Sequence, residues 1–234
     1  MEQKCIFCGD RLLGSRTREH VLPEWLAEFL NISEASIQPT HFSDEGDVIS
    51  SRHHPIDQLL CGRVCGGCNN GWMSQLENSN IEVLKDLIQG KRDIINLNPT
   101  EKGNLARWAC KTAYALHAAS NYRKIIPDEH FHLIKNGAFA SGVFILGKSF
   151  ENPSPWVQSS DAEKNSVFSW MQNSMWWVSM QPEANRDEEA RNLSPESYKI
   201  SLQIGGLLLL VAFHPMKNTQ LALDAAFHVP LHPL

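Results

Sequence analysis

Long hydrophobic runs are missing from these 234 residues. The longest, Ile204 to Phe213, is about half of the ~20 residues that a membrane-spanning helix needs. Residues 1 to 15, MEQKCIFCGDRLLGS, lack the apolar core of a signal peptide, so the expectation is a soluble, cytoplasmic chain with no membrane partner. An excess of positive charge is missing too. Lys and Arg number 21 against 26 Asp and Glu, for a net charge of -5. Up to Met73 the cations are Lys4, Arg11, Arg16, Arg18, Arg52 and Arg63, set against ten acidic residues. That balance excludes the basic footprint with which a protein holds DNA tightly on its own. Cysteine is scarce, with six in all, and in a reducing compartment these are thiols or metal ligands rather than disulfides. From Pro99 onward there is no internal repeat, no phosphate-binding glycine loop and no nucleophile elbow. What the chain does have is 42% hydrophobic residues, enough for one large domain or for a small module joined to a larger one. The second is the expectation.

The cysteines are ordered. Cys5 and Cys8 in CIFCG have the same two-residue separation as Cys65 and Cys68 in VCGGCNNGWM. Two such knuckles supply four thiolates for a tetrahedral zinc ion, and the glycines beside them let backbone N–H groups turn toward sulfur. The 56 residues between Cys8 and Cys65 exceed the spacing of a compact zinc ribbon, so the intervening segment holds something of its own. Cys61 is an alternative ligand, four residues before Cys65. Cys110, inside LARWACKTAYALHAA, reads as a small core residue. Zinc closed by four thiolates is structural, and any chemistry comes from what it positions.

Between the knuckles, SRTREHVLPEWLAEFL places Pro23 at a first helical position and puts Trp25, Leu26, Phe29 and Leu30 on one face. A helix beginning near Leu22 leaves Glu19 and His20 on a strand end, pointing in opposite directions. After the second knuckle, NNGWMSQLENSNIEVLKDLIQG reads as helix with Cys68 and Asn69 at its start, where unpaired N–H groups favour an anion. Gly71 and the Asn-Ser-Asn at 78 to 80 are its weak points. Trp72 and Met73 are expected to pack this helix against the second half of the chain. The plain alternatives are a His20 ring that caps its helix, Asn69 and Asn70 as helix caps, and Glu19 paired with Arg16 or Arg18.

CIFC, then REHVLP, then VCGGCNNGW resemble, in that order, the HNH endonucleases. The likeness is to the four-cysteine subgroup, whose ββα-metal site is held by a structural zinc, and to a variant with asparagine in place of the final histidine. The resemblance covers roughly the first 75 residues. It implies a general base at His20 and a catalytic divalent cation, Mg2+ or Mn2+, held by Glu19 and Asn69, with Asn70 as the competitor of Asn69. Cys5, Cys8, Cys65 and Cys68 match the zinc ligands. The middle asparagine of the family pattern has no counterpart in HHPIDQLLCGRV, where Asp57, His53 and His54 are the candidates for fixing the loop that carries His20.

The implied reaction is hydrolysis of a phosphodiester bond of nucleic acid, DNA first, giving a 5′-phosphate and a 3′-hydroxyl. An imidazole with an unperturbed pKa near ~6.5 can take the proton of water at neutral pH. A cation with two protein ligands, one of them neutral, leaves room for water and phosphate oxygens, which suits magnesium or manganese. The weak basic footprint makes a partner protein a plausible source of targeting. The other class of function open to the chain is a zinc-stapled module that binds nucleic acid or protein without catalysis.

The fold class expected is α+β, with a treble-clef-like ββα-metal module over residues 1–98, an insertion at about 31–60, and an α+β companion domain over 99–234 with an antiparallel sheet. In the companion domain, TEKGNLARWACKTAYALHAAS and Ile126 to Lys135 read as helices. SGVFILGKSF, SMWWVSMQP and YKISLQIGGLLLLVAFHP read as strands, the last broken at Gly205-Gly206. QPEANRDEEARNLSPES reads as a charged loop. Trp170, Trp176 and Trp177 read as sheet or core packing, and His214, His228 and His232 do not form a second metal site on spacing.

Overall fold

The chain opens with a tight hairpin. Gly9 takes a left-handed φ of 76°, which brings the Cys5 N–H to the Asp10 carbonyl at 2.8 Å and lets Lys4 pair with Arg11. The computed structural model describes residues 3–12, 17, 19–42, 47–120, 124–149, 168–173, 197–215 and 229–232. The readings of SMWWVSMQP, of the charged loop apart from Ser197, of the three tryptophan side chains and of His228 lie outside these residues or their described side chains.

Strand β1 is Glu19–His20, helix α1 is Glu24–Phe29, and then come β2 (Ser36–Ile37), β3 (Thr40–Phe42), β4 (Val48–Ser51), β5 (His54–Pro55) and β6 (Leu60–Cys61). Pro23 stands just ahead of α1 rather than inside it. The insertion folds as nested antiparallel pairs, β3 on β4 inside β2 on β5. Around it β1 closes on β6, with Glu19 opposite Cys61 and His20 opposite Leu60.

From the second knuckle the chain runs as one helical rod. A short α2 (Gly66–Cys68) is followed by a wide turn, Asn69–Met73, and then by α3 (Ser74–Ile88). Gly71 sits at φ -96° and ψ -111°, outside the helical region, and kinks the rod there. The Asn-Ser-Asn does not interrupt α3. Asn80 is buried, and its amide donates to the Leu76 carbonyl at 2.8 Å and to the Asn104 carbonyl at 3.3 Å. With its amide nitrogen engaged in this way the side chain leaves the helix unbroken, although its Oδ1 is buried without a partner.

Helix α4 (Pro99–Ala119) starts at a capping box. The Glu101 N–H donates to Asn98 Oδ1 at 3.0 Å, and the Asn98 N–H donates to Glu101 Oε2 at 2.9 Å. Pro99 fills the first turn, where its missing N–H costs nothing. Helix α5 (Asp128–Lys135) follows Pro127. The sheet strands are β7 (Val143–Ser149), β8 (Phe168–Asn173), β9 (Tyr198–Ile204), β10 (Leu207–Phe213) and β11 (Val229–Pro230), in the spatial order β11-β7-β10-β9-β8, all antiparallel. Gly205, at φ 52°, turns the β9–β10 hairpin. The fold is therefore α+β, as the sequence implies.

One apolar core runs from Cys5 to Leu231 and includes Trp108 and Cys110, both fully buried. Among the described residues no helix is long and apolar enough to cross a membrane.

Candidate metal centre and the strand carrying His20

The hairpin at residues 4–11 and the start of α2 bring the two knuckles together in a treble-clef-like arrangement. The Sγ atoms of Cys5, Cys8, Cys65 and Cys68 all lie within 4.8 Å of one another, and Cys8 and Cys65 are 3.6 Å apart. Thiolates around tetrahedral zinc, with bonds of about 2.3 Å, stand about 3.8 Å apart. The set fits a metal such as zinc. Backbone amides face sulfur as expected, with the Cys65 N–H donating to Cys5 Sγ and the Cys68 N–H to Cys65 Sγ, both at 3.4 Å.

Burial pushes the Cys68 thiol up to about 12 and the Cys8 thiol well up. Burial also raises Cys65, but the Cys68 amide and the neighbouring thiols outweigh it and lower the net value. Four thiolates this close repel one another, and a divalent cation is what lets them all ionise. Cys61 is not in the cluster. It is buried opposite Glu19, which leaves its thiol near 11. His214 is buried and His232 packs its ring on Phe139 at 4.2 Å, and neither belongs to a metal cluster among the described residues.

The helix start differs from the sequence reading. Cys65 is the cap, its sulfur accepting the Cys68 N–H, and α2 begins at Gly66. Asn69 lies a turn further on, half-buried, and Asn70 is exposed. A cysteine takes the place expected of asparagine because its sulfur can accept an N–H and bind metal at once. The N–H groups of Cys68 and Asn69 both donate to the Cys65 carbonyl, at 3.1 and 3.0 Å, so neither is left over for the anion that the sequence reading placed there.

Strand β1 sends its two side chains to opposite sides. Glu19 is buried, with Oε1 2.5 Å from Lys111 Nζ, and the same ammonium donates to Glu77 Oε1 at 2.6 Å. Burial raises the Glu19 pKa against the pull of Lys111. Burial lowers that of Lys111, but the two carboxylates outweigh it and the net shift is upward. Among the described residues the partner of Glu19 is thus an internal lysine; the pairing with Arg16 or Arg18 lies outside them. His20 keeps 25% of its side chain exposed, with Nδ1 3.6 Å from Glu24 Oε1. That contact is an ion-pair distance and too long for a hydrogen bond. Of the three candidates for fixing this loop, His53 and Asp57 are exposed and His54 Nδ1 is 3.0 Å from the Pro55 carbonyl. The sequence reading missed Lys111, Glu77 and Glu24. A lone lysine in the apolar run WACKTAYALHAA is the signal that was available for the first.

Thr17 ties β1 to the second knuckle. Its hydroxyl donates to the Val64 carbonyl at 2.6 Å, and its methyl group lies 3.7 Å from the place of a Cβ on Gly66. From Gly66 the helix climbs about 1.5 Å per residue to Asn69. From Thr17 even a fully extended chain advances only about 3.3 Å per residue to Glu19 and His20. Both stretches thus leave one anchoring point and stay within about 10 Å of it.

No family model, curated protein or solved structure matches this chain. Fold and site define an α+β protein with a cluster of four cysteines that could hold a metal such as zinc, tied through Thr17 to the chain leading into the Glu-His strand.

Proposed function

We propose that the chain is an HNH-type endonuclease, a metal-dependent phosphodiester hydrolase acting on nucleic acid, with DNA as the expected substrate. The observation that carries this reading is the order of elements around the four thiols. Two antiparallel strands, β1 and β6, lead through a cysteine knuckle straight into a helix, with Glu19-His20 on the first strand and Asn69 in the rod.

His20 is exposed enough to meet a water molecule and takes its proton as general base. With Nδ1 turned to Glu24, Nε2 is the nitrogen free for that proton. Glu19 gives one oxygen to Lys111; its other oxygen and the side-chain oxygen of Asn69 would be the ligands of a divalent cation. Magnesium or manganese, when bound, supplies positive charge to the phosphate and to the departing oxygen. The zinc thiolates take no part in the reaction and hold the knuckles that carry these residues.

The test is nicking of supercoiled plasmid with magnesium, manganese or nickel, by the wild type and by His20→Ala, with total zinc measured on both. Activity is expected to fall by about 10²-fold or more at equal zinc content. Undiminished cleavage by His20→Ala, or no wild-type cleavage of any DNA or RNA with any of the metals, overturns the reading. The capture of Glu19 by Lys111 favours a second reading, a zinc-stapled binding module without catalysis. Metal-independent binding that survives alanine at both Glu19 and His20 would select it.

A further inference from the structure

Lys111 is the most deeply buried charge among the described residues. It stands in the middle of α4 with its side chain wholly out of water, and its ammonium meets β1 through Glu19 and α3 through Glu77. Three elements converge on one nitrogen.

A triad of charges with two members buried and the third half-buried is a poor source of stability. Desolvation offsets most of the attraction, and apolar side chains of the same shape do as well or better. What such a triad does supply is register, because the carboxylates reach the ammonium in one arrangement only. Register in this part of the fold otherwise rests on few bonds, among them Thr17 to the Val64 carbonyl and the Val21 N–H to the Leu59 carbonyl at 3.0 Å. The β1–β6 ladder is two residue pairs long, and so short a pair of strands holds its own geometry weakly. The nested hairpins of the insertion intervene between β1 and β6 in the chain.

We propose that Lys111 is the positioning residue of the site, fixing the strand that carries His20 to the rod that carries Asn69. This rests on the roles given to His20 and Asn69 above. Adjacent side chains on a strand point opposite ways, so holding the Glu19 carboxylate inward holds His20 outward. Glu77 lies in the first turn of α3, just beyond the wide turn that begins at Asn69, and the same ammonium therefore anchors the rod. The ammonium is shared with Glu77, so Lys111 is not engaged by Glu19 alone.

The experiment compares the zinc-loaded full chain with Lys111→Met and with Glu77→Met. The second variant leaves a neutral Glu19–Lys111 pair, so it tests the clamp even where the first fails to fold. The readout is the ring signals of His20, assigned with His20→Ala, and the backbone amides of residues 19–21 by NMR. In both variants these are expected to shift or broaden, while the ring of His130, held by Tyr198 at 2.8 Å, keeps its signals. Plasmid cleavage is expected to lose about 10- to 100-fold in kcat with KM within about twofold, the size of a misplaced catalytic group. Unmoved His20 signals in folded Glu77→Met overturn the proposal. If the signals move but the wild type cuts nothing, the endonuclease reading falls and the clamp stands. If the wild type cuts and the signals stay, the clamp alone falls.

Discussion

A single imidazole in α5 is kept neutral by its place in the fold. His130 is buried, with Nδ1 2.8 Å from the Tyr198 hydroxyl and its ring edge-on to Phe213 at 4.6 Å. That hydroxyl is also 2.8 Å from the Tyr114 hydroxyl, and burial drives both phenols well up, so they stay protonated. Burial pushes His130 down to about 4. The unfolded chain protonates this residue near ~6.5, so between those values the unfolded state binds more protons than the folded one. Its contribution to stability is full above the unfolded value and is lost as pH falls through the folded one. From pH 7 to pH 5 the loss is about 2 kcal/mol, at about 1.36 kcal/mol per pH unit over the ~1.5 units below 6.5. His130→Asn has no such proton to gain. Urea unfolding at the two pH values is expected to show the wild type losing about 2 kcal/mol more than the variant, and equal losses would mean that this imidazole is not held neutral.

At the scale of elements, Gly147 shows why one short turn can close on the sheet. It lies in β7 opposite Leu209 and Val229, where a Cβ would stand 2.2 Å from Ile94 Cδ1. The turn Ile94–Asn96 packs into the space this missing side chain leaves, and the Ile94 N–H donates to Ser149 Oγ at 3.2 Å. Gly147→Ala is expected to cost about 1–3 kcal/mol by overpacking, read from the urea midpoint, with Ile94→Val in the same chain recovering part of it. Full stability in Gly147→Ala would show that the turn gives way freely. The elements that could be read in the sequence carry local signals: the duplicated cysteine spacing, the apolar face of TEKGNLARWACKTAYALHAAS and the Gly205-Gly206 break. The contacts that could not be read join residues far apart in the chain, such as Gly147 with Ile94 or Lys111 with Glu19. Local pattern assigns α4 a buried face, but it does not say which acid meets the lysine on that face. The choice of Cys65 over Asn69 as cap was hidden for another reason, since propensity ranks asparagine as a cap and takes no account of a metal-site sulfur.

At the scale of the whole molecule, the four thiols stand at one end of a core that continues into the second half. Phe7, between Cys5 and Cys8, is fully buried and meets Trp72 at 5.4 Å and Phe131 at 5.6 Å. The Arg107 guanidinium lies 4.9 Å over the Trp72 ring, and His132 Nδ1 is 3.1 Å from the Phe7 carbonyl. Loosening the knuckle therefore releases Phe7 from α5 and Trp72 from α4 together. Structural zinc contributes on the order of 10 kcal/mol of folding energy, comparable with the ~5–15 kcal/mol that stabilises an ordinary domain. Chelation, or Cys65→Ser, is expected to lower the melting of the whole chain in one step, by ten degrees or more at roughly 2–4 °C per kcal/mol for a chain of this size. Near-ultraviolet circular dichroism, which reports the packed tryptophans, should fall with the far-ultraviolet signal. Phe7→Ala separates packing from metal, since it should cost about 3–5 kcal/mol while total zinc stays at the wild-type level. A second transition that zinc removal leaves in place would instead show that the helices and sheet beyond residue 98 stand by themselves, with the knuckle only resting on them.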